Sequence, residues 1–336
     1  MSKIKQFFEY AIDRLLPAGR VVRELPYIMI FKTTHWCWYN CAHCCESAGK
    51  DRPAEFIPTD IIKYYTDAAK SDPKFGKEIV LTGGEIMASY KFDMPYYVPD
   101  LINYITQRGI SLDIKTNGAW VRNADLCSKI LPDLVRTNER NSNNRKLPYQ
   151  LSLSLDKYHP NALENTCNII CELVKRNKKK PMILVHISGF MGQDYMYQEL
   201  LAKLLRVPGN KFEYAYVAAK SGGMIPLHVI NRSVALRPSF DALLFAGGRA
   251  QNLPEAFSSP NPTFEIINDD ADVLMAFDSA GNVTLGENSG RKITVPWRDA
   301  NGNPRDLPAI RRDLVKRARY EELRKRIIDF KHVFVK

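Results

Sequence analysis

The stretch Thr33–Ser47, TTHWCWYNCAHCCES, constrains the fold and chemistry of this chain more than any other. It holds Cys37, Cys41 and Cys44 in a C-x3-C-x2-C spacing, with Cys45 directly behind. Closely spaced thiolates on one loop can surround a soft metal centre. A structural zinc site usually has four protein ligands and is closed. Three ligands therefore predict a metal centre with one open position, where a substrate or cofactor can bind.

Composition limits the classes to which the chain can belong. Its 336 residues are 45% hydrophobic and 25% charged, which excludes global disorder and predicts a large core. The net charge of +11 is compatible with binding of nucleic acid, an acidic peptide or an acidic redox protein. It is equally compatible with a charge that serves solubility alone. The chain has seven cysteines, and four of them lie close together in the sequence, which is not the pattern of a disulfide framework. With no signal peptide or membrane-spanning stretch predicted, we expect a cytoplasmic protein.

Apolar strand-like runs alternate with helical periodicity through the first two thirds of the chain. Five helices are predicted between six strands, and this alternation indicates parallel α/β architecture. The expected fold is a partial (β/α)6 TIM-like barrel with a small C-terminal α+β extension. The six predicted strands are Tyr27–Thr33, Glu78–Leu81, Ile110–Thr116, Gln150–Leu155, Met182–Ile187 and Phe212–Val217.

Three regions are expected along the chain. Residues 1–26 contain an N-terminal amphipathic helix, and residues 27–220 form the partial barrel. Residues 221–336 form the extension, with a hairpin around Asp278–Gly281 and a strongly basic helix from Leu307 to about Phe330. A short helix ending near Pro132 and an Asn-rich loop over residues 136–146 are also predicted.

Small and polar residues follow the predicted strands, where active-site loops of parallel α/β folds gather. Thr82-Gly83-Gly84-Glu85 follows the second strand, and its glycines allow a backbone to approach a ligand closely. Its carboxylate can accept hydrogen bonds from an ammonium group. Further along the chain, such residues follow the third to the sixth strands: Thr116-Asn117-Gly118, Ser154 with Asp156, Ser188-Gly189-Phe190, and Val217.

Together these motifs resemble the radical S-adenosylmethionine (radical SAM) enzymes over about residues 27–217. The resemblance implies that Cys37, Cys41 and Cys44 hold a [4Fe-4S] cluster and that SAM occupies its open iron. It further implies that SAM is contacted by residues at the later strand ends: Gly83, Gly84, Glu85, Asn117, Ser154, Asp156, Gly189 and Val217. The implied activity is reductive cleavage of SAM to a 5′-deoxyadenosyl radical that abstracts hydrogen from a substrate.

One residue departs from the family pattern, and two other functions stay open. His43 stands before the third cysteine, where the family usually carries an aromatic residue. A zinc-stabilised binding protein using His35 or His43 with the cysteines is the alternative from another class. Within the enzyme class, the expected substrate is a peptide or other natural product, and the rival is RNA, suggested by the net charge. A flavodoxin or ferredoxin is the expected reductant.

Candidate substrate-contacting or catalytic residues are less sharply defined. Cys45 beside the cluster loop is a candidate hydrogen donor. On the fifth and sixth strands and on the third, five more residues are candidates: His186, Tyr214, Tyr216, Asp113 and Lys115. The remaining cysteines, Cys127, Cys167 and Cys171, are expected to pack in the core. No cysteine follows Cys171, so the C-terminal extension is interpreted as a degenerate, cluster-free form of the cysteine-rich extensions of related enzymes.

Overall fold

The computed structural model describes residues 27–143, 149–177, 181–218, 224–242, 248–253, 273–285 and 293–334. The predicted N-terminal helix therefore lies outside the described residues. One sheet of eleven strands organises this part of the chain. The strands are β1 (Tyr27–Lys32), β2 (Phe75–Thr82), β3 (Ser111–Thr116), β4 (Tyr149–Ser154), β5 (Ile183–Phe190), β6 (Phe212–Ala218), β7 (Met224–Ile230), β8 (Val234–Ala242), β9 (Val273–Asp278), β10 (Asn282–Leu285) and β11 (Ile293–Pro296).

Six α-helices accompany the sheet in the described ranges. They are α1 (Thr59–Lys70), α2 (Tyr97–Thr106), α3 (Ala124–Asn143), α4 (Ala162–Arg176), α5 (Tyr195–Leu205) and α6 (Leu307–Phe334). In α1, Ile62, Tyr65 and Ala69 are fully buried at helical spacing and turn one apolar stripe to the sheet. None of the described helices combines the length and the apolar character needed to cross a membrane.

The centre of the sheet is parallel and its two margins are antiparallel. Seven strands run parallel in the order β9-β1-β2-β3-β4-β5-β8. The pair β10-β11 continues antiparallel beyond β9, and the pair β7-β6 does so beyond β8. In the part of the chain that the structure describes, β11 and β6 are the outer strands and the sheet is not closed. The predicted α/β class is confirmed, whereas the six-stranded size of the predicted partial barrel is not.

The prediction for the sixth parallel strand is wrong. The segment Phe212–Val217 does form a strand, but β6 pairs antiparallel with β7 at the margin of the sheet. The place next to β5 belongs to β8 instead. The tight turn between β7 and β8 explains the difference, because Asn231 and Arg232 both adopt positive φ angles there. This turn lacks the Asn-Gly signature that marks a hairpin in a sequence.

Strands from the predicted C-terminal extension belong to the main sheet. The predicted hairpin around Asp278–Gly281 is confirmed as β9 and β10. However, β9 pairs in parallel with β1 along its whole length, from Tyr27 opposite Val273 to Lys32 opposite Asp278. With β8 beside β5, the segment after residue 220 supplies both flanks of the parallel region.

Helix α3 is longer than the sequence predicts. It continues through Pro132 and covers most of the stretch that is predicted to be a loop. Leu131, Leu134 and Val135 are buried around the proline, so the apolar face continues past it. Packing of this face against the core outweighs the lost backbone hydrogen bond.

Candidate active site

The cysteine loop joins β1 to α1 at the carboxyl end of the parallel strands. Its ends are held together by hydrogen bonds from the Cys37 N–H to the Gly49 carbonyl (3.2 Å) and from the Gly49 N–H to the His35 carbonyl (3.1 Å). Cys37 and Cys41 are buried, and Cys44 is half-buried. The loop therefore has a fixed conformation that turns the thiols of Cys37 and Cys41 away from bulk water.

The three thiols form a donor set that suits a metal centre. Burial is the main cause that raises the pKa of Cys37 and of Cys41 to about 12. The charge of Glu85 contributes to this rise at Cys37, and the neighbouring thiols contribute at Cys41. A bound metal compensates such charges and releases the thiol protons. In a tetrahedral zinc site, sulfur atoms lie only about 3.8 Å apart. Among the described residues, no group of three ligands that includes a cysteine lies within 4.8 Å. This wider spacing fits a polynuclear cluster better than a single zinc ion.

Arg249 anchors the cysteine loop from a distant part of the chain. Its Nε donates to the Cys41 carbonyl at 2.9 Å, and its Nη2 donates to the Ala48 carbonyl at 2.6 Å. Its backbone N–H donates to the Cys44 carbonyl at 3.0 Å. Sequence reasoning missed this residue, because nothing in the sequence around Arg249 connects it to the cysteines.

The Gly-Gly-Glu segment packs directly on the cysteine loop. The Gly84 N–H donates to the Thr34 carbonyl at 2.6 Å, and the Glu85 N–H donates to the Trp36 carbonyl at 2.9 Å. A Cβ atom on Gly84 would lie 2.1 Å from the Trp36 oxygen, and one on Gly83 would lie 2.5 Å from the Thr34 oxygen. The glycines are thus required for contact between the two loops, in addition to the ligand approach predicted from the sequence.

The Glu85 carboxylate lies beneath this contact and is fully buried. One oxygen accepts from the Met87 N–H (3.1 Å) and the Thr116 hydroxyl (2.8 Å), and the other accepts from the Asn117 N–H (3.0 Å). Burial raises the pKa of Glu85 to about 7, although these hydrogen bonds lower it. The carboxylate therefore ties the end of β2 to the end of β3 and keeps acceptor capacity for one more donor.

Asn117 connects the third strand to the cysteines. Its side-chain amide Nδ2 donates to the Cys37 sulfur at 3.2 Å, while its Oδ1 accepts from the Ala119 N–H at 2.9 Å. This hydrogen bond lowers the pKa of Cys37 against the larger effect of burial. Hydrogen bonds to cysteine sulfurs of this kind tune the potential of an iron–sulfur centre where one is bound.

Asp156 and His159 form a pair beside the cysteine loop. The Asp156 carboxylate accepts from the backbone N–H groups of Tyr158 (2.9 Å) and His159 (3.1 Å), and its second oxygen lies 2.7 Å from His159 Nδ1. Burial favours the neutral acid, but the His159 hydrogen bond and nearby positive charge outweigh it, so the pKa of Asp156 is lowered. Sequence reasoning missed His159, although its position three residues after Asp156 is a readable signal.

His43 takes the place of the aromatic residue expected before the third cysteine. Its ring stacks on Tyr158 at 5.0 Å and meets His159 and Phe190 edge-on. Burial lowers the pKa of His43 to about 4, so the imidazole is neutral. Its Nδ1 atom is buried and has no hydrogen-bond partner among the described residues. A neutral, stacked imidazole with one unused nitrogen can both pack against a planar ligand and hydrogen-bond to it.

The structure does not gather every predicted residue at this site. Ser154 ends β4 and is half-buried. At Gly189, the Phe240 ring fills the adjacent space and would lie 2.3 Å from an added Cβ atom. Val217 lies in β6, opposite Ile225 at the sheet margin, and not next to β5. Its expected position after a sixth parallel strand is therefore wrong.

The candidate substrate residues are scattered. Cys45 is exposed, with its sulfur 3.7 Å from a Glu46 oxygen. Tyr214 and Tyr216 lie in β6 and are 72% and 60% exposed, so the expectation that a sixth parallel strand carries them is also wrong. His186 is half-buried in β5, with its Nδ1 3.0 Å from the Ser152 hydroxyl.

The other three cysteines lie in helices α3 and α4. Cys127, Cys167 and Cys171 are half-buried against the hydrophobic core, in agreement with the expected packing role. Within α4, a hydrogen bond from Cys167 lowers the pKa of Cys171 to about 7.

Comparisons with known proteins give only distant similarity. No protein-family model and no curated protein matches the chain. Among solved structures, SuiB of Streptococcus suis bound to S-adenosylmethionine matches with a TM-score of 0.36 and 11% identity, over 78% of this chain and 60% of that one. SuiB bound to its precursor peptide SuiA matches with a TM-score of 0.38 and 13% identity, over 78% and 59%. The chain thus spans about three fifths of the length of these structures. At this level of similarity, the interpretation of the site depends on its own geometry.

Proposed function

We propose that this chain is a radical SAM enzyme. In this proposal, Cys37, Cys41 and Cys44 would hold a [4Fe-4S] cluster, and SAM would bind beside it. When bound and reduced, the cluster supplies the electron that cleaves SAM to methionine and a 5′-deoxyadenosyl radical, which abstracts hydrogen from the substrate. The observation that carries the proposal is the direct hydrogen bonding of the motifs after β2 and β3 to the cysteine loop after β1.

The protein's own residues would hold the reactants in place. The unused acceptor capacity of Glu85 suits the methionine ammonium group, and its three existing hydrogen bonds fix the carboxylate in position. Ser154 and Asp156 are proposed to contact the remaining polar groups of SAM. His43 would pack its neutral ring against the ligand and offer Nδ1 as a hydrogen-bonding atom.

The substrate class and the reductant are part of the same proposal. We propose a peptide or other natural product as substrate and a flavodoxin or ferredoxin as electron donor. The zinc alternative, with His35 or His43 added to the cysteines, is less favoured. The described ligand atoms that lie within 4.8 Å of one another belong to His43, Asp156 and His159, and no cysteine is part of this group.

Anaerobic reconstitution tests the proposal directly. The protein should become brown, bind about four irons per chain as expected for one cluster, and release 5′-deoxyadenosine from SAM after reduction. The Cys37→Ala/Cys41→Ala/Cys44→Ala variant should lose all three properties. Cys127→Ala is the matched control, because Cys127 packs on the core away from the loop, and it should retain them. A colourless wild-type protein with stoichiometric zinc would contradict the proposal.

A further inference from the structure

The two faces of the sheet have different surroundings. Alternate residues of the parallel strands, such as Leu112, Leu151 and Val185, are buried in one large core together with residues of all six α-helices. On the other face, the buried apolar residues form two small clusters that contain strand residues alone among the described residues. We call this the second face of the sheet. It consists of the strand residues that alternate with the core residues, and it carries the polar side chains.

Four polar residues on the second face occupy one register position across four adjacent strands. Lys115 of β3 lies opposite Ser152 of β4, Ser152 lies opposite His186 of β5, and His186 lies opposite Arg237 of β8. We call these four residues the cross-strand row. Neighbouring strands are about 4.8 Å apart, so the Cα atoms of Lys115 and Arg237 are separated by roughly 14 Å.

The cross-strand row lies directly beneath the proposed active site. Ser152 precedes Ser154 by two residues on the same face of β4, which is a distance of roughly 7 Å. Lys115 precedes Thr116 and Asn117, which bond to Glu85. A molecule bound along the row would therefore lie about two residues before the strand ends that carry the proposed site.

The cations at the ends of the row, Lys115 and Arg237, have no partner in the part of the chain that the structure describes. Neither Lys115 nor Arg237 forms a hydrogen bond or ion pair with any described residue. Lys115 is exposed, but Arg237 is half-buried on its strand. A guanidinium group that is partly removed from water without an anionic partner is unfavourable, and it becomes favourable when an anion binds.

A short hydrogen-bonded chain fixes the imidazole between these cations. The Ser152 hydroxyl bonds both to an Asp113 carboxylate oxygen and to His186 Nδ1, at 3.0 Å for the latter. A carboxylate only accepts, so the single hydroxyl proton goes to Asp113, and His186 must donate from Nδ1. The Asp113 carboxylate, two residues from Lys115 on the same face of β3, is thus engaged by a serine.

We propose that the cross-strand row binds a carboxylate-bearing substrate, with Lys115 and Arg237 as the anion-binding groups and Ser152 and His186 between them. The inference rests on the proposed function, since it names the substrate class for the same site. An extended segment of four residues spans about 13 Å, which matches the separation of the two cations.

Calorimetry on the anaerobically reconstituted protein tests the inference. The probe is the acetylated and amidated tetrapeptide of glutamate, and the glutamine tetrapeptide is its uncharged counterpart. We expect one glutamate peptide per chain and no detectable binding of the glutamine peptide. In Lys115→Met/Arg237→Met, affinity should fall about tenfold or more, as for the loss of charge-assisted hydrogen bonds.

A charge-matched variant separates this site from general attraction. Lys129→Met/Arg136→Met also removes two positive charges, but from pairs with Asp125 and Asp133 on the outer face of α3. Its affinity for the glutamate peptide should stay within about twofold of wild type. Equal losses in the two double variants, or no binding by wild type, would overturn the inference. Tighter binding of inorganic phosphate that displaces the peptide would overturn the assignment to carboxylates.

The readout also separates the inference from the proposed function, because peptide binding requires neither reduction nor SAM cleavage. Protein that binds the peptide at the row but holds no iron would refute the radical SAM proposal alone. Protein that cleaves SAM but shows no difference between the two double variants would refute the carboxylate inference alone.

Discussion

Substitution of Gly84 by alanine should separate the Gly-Gly-Glu segment from the cysteine loop. The added Cβ would lie 2.1 Å from the Trp36 carbonyl oxygen and 2.7 Å from its carbon, whereas ordinary contacts begin at 3.4 Å. Both obstructing atoms belong to the backbone, so no side-chain rotation can relieve the overlap. The two segments must move apart by more than about 1 Å.

Such a movement would break the two hydrogen bonds that join the segments. They are the 2.6 Å bond from Gly84 to Thr34 and the 2.9 Å bond from Glu85 to Trp36. Each backbone hydrogen bond contributes about 1 kcal/mol, and residual strain adds to their loss. We expect the free energy of unfolding to fall by about 2–4 kcal/mol. Because Cys37 directly follows Trp36, iron content after reconstitution should fall as well.

Urea unfolding and iron quantification under anaerobic conditions measure these effects. Gly109→Ala is the matched control, since a Cβ there meets nothing within 4 Å. Its φ of +71° makes alanine cost about 1 kcal/mol, without any effect on the cysteine loop. If Gly84→Ala unfolds like Gly109→Ala and binds iron normally, the contact between the two loops does not constrain the site as argued.

Three other predictions test the electrostatics and anchoring of the site. Glu85 has a pKa of about 7, above its ordinary value of 4.5, so its contribution to stability is complete below pH 4.5 and is lost as the pH rises through 7. Between pH 4.5 and 8, the unfolding free energy of the wild type should therefore fall by about 3 kcal/mol more than that of Glu85→Gln. Unfolding free energies that change in parallel with pH in the two proteins would contradict this. Arg249→Lys keeps the positive charge but loses the planar group that bridges the Cys41 and Ala48 carbonyls. The loop should then open more often, and alkylation of Cys41 should become about tenfold faster. Arg232→Lys is the control, because this exposed arginine pairs with Glu213 and its replacement should leave the alkylation rate unchanged. Tyr65→Phe removes the hydroxyl that lies 2.9 Å from two backbone carbonyls after β11, and urea unfolding should show a loss of about 1–2 kcal/mol.

Local patterns in the sequence predict much of the fold and the site. Helices α1 and α5 begin and end where their periodicity predicts, because each buries a regular apolar stripe. Asn117 and Glu85 are expected near the cysteines because residues after adjacent parallel strands meet at one edge of a sheet. Their mutual hydrogen bond agrees with that reasoning.

What the sequence does not reveal depends on long-range pairing. The order of strands in a sheet is fixed by packing between distant segments, so the insertion of β8 beside β5 and β9 beside β1 leaves no local pattern. Arg249 escapes prediction for the same reason, since its partners are carbonyl groups rather than particular side chains. The predicted helix α3 is too short, because Pro132 indicates a helix end in the sequence although the apolar face continues past it.

The pairing of β1 with β9 has a consequence for the order of events during synthesis. The cysteine loop follows the first described strand, while the strand that completes the sheet beside it comes near the other end of the chain. A growing chain therefore presents its cysteines long before β9 has left the ribosome. Closing so long a loop is also slow, because its entropy must be lost before the pairing is gained. Under the proposed function, delivery of iron and sulfide should then be most efficient after β9 has been synthesised, when β1 is held on both sides.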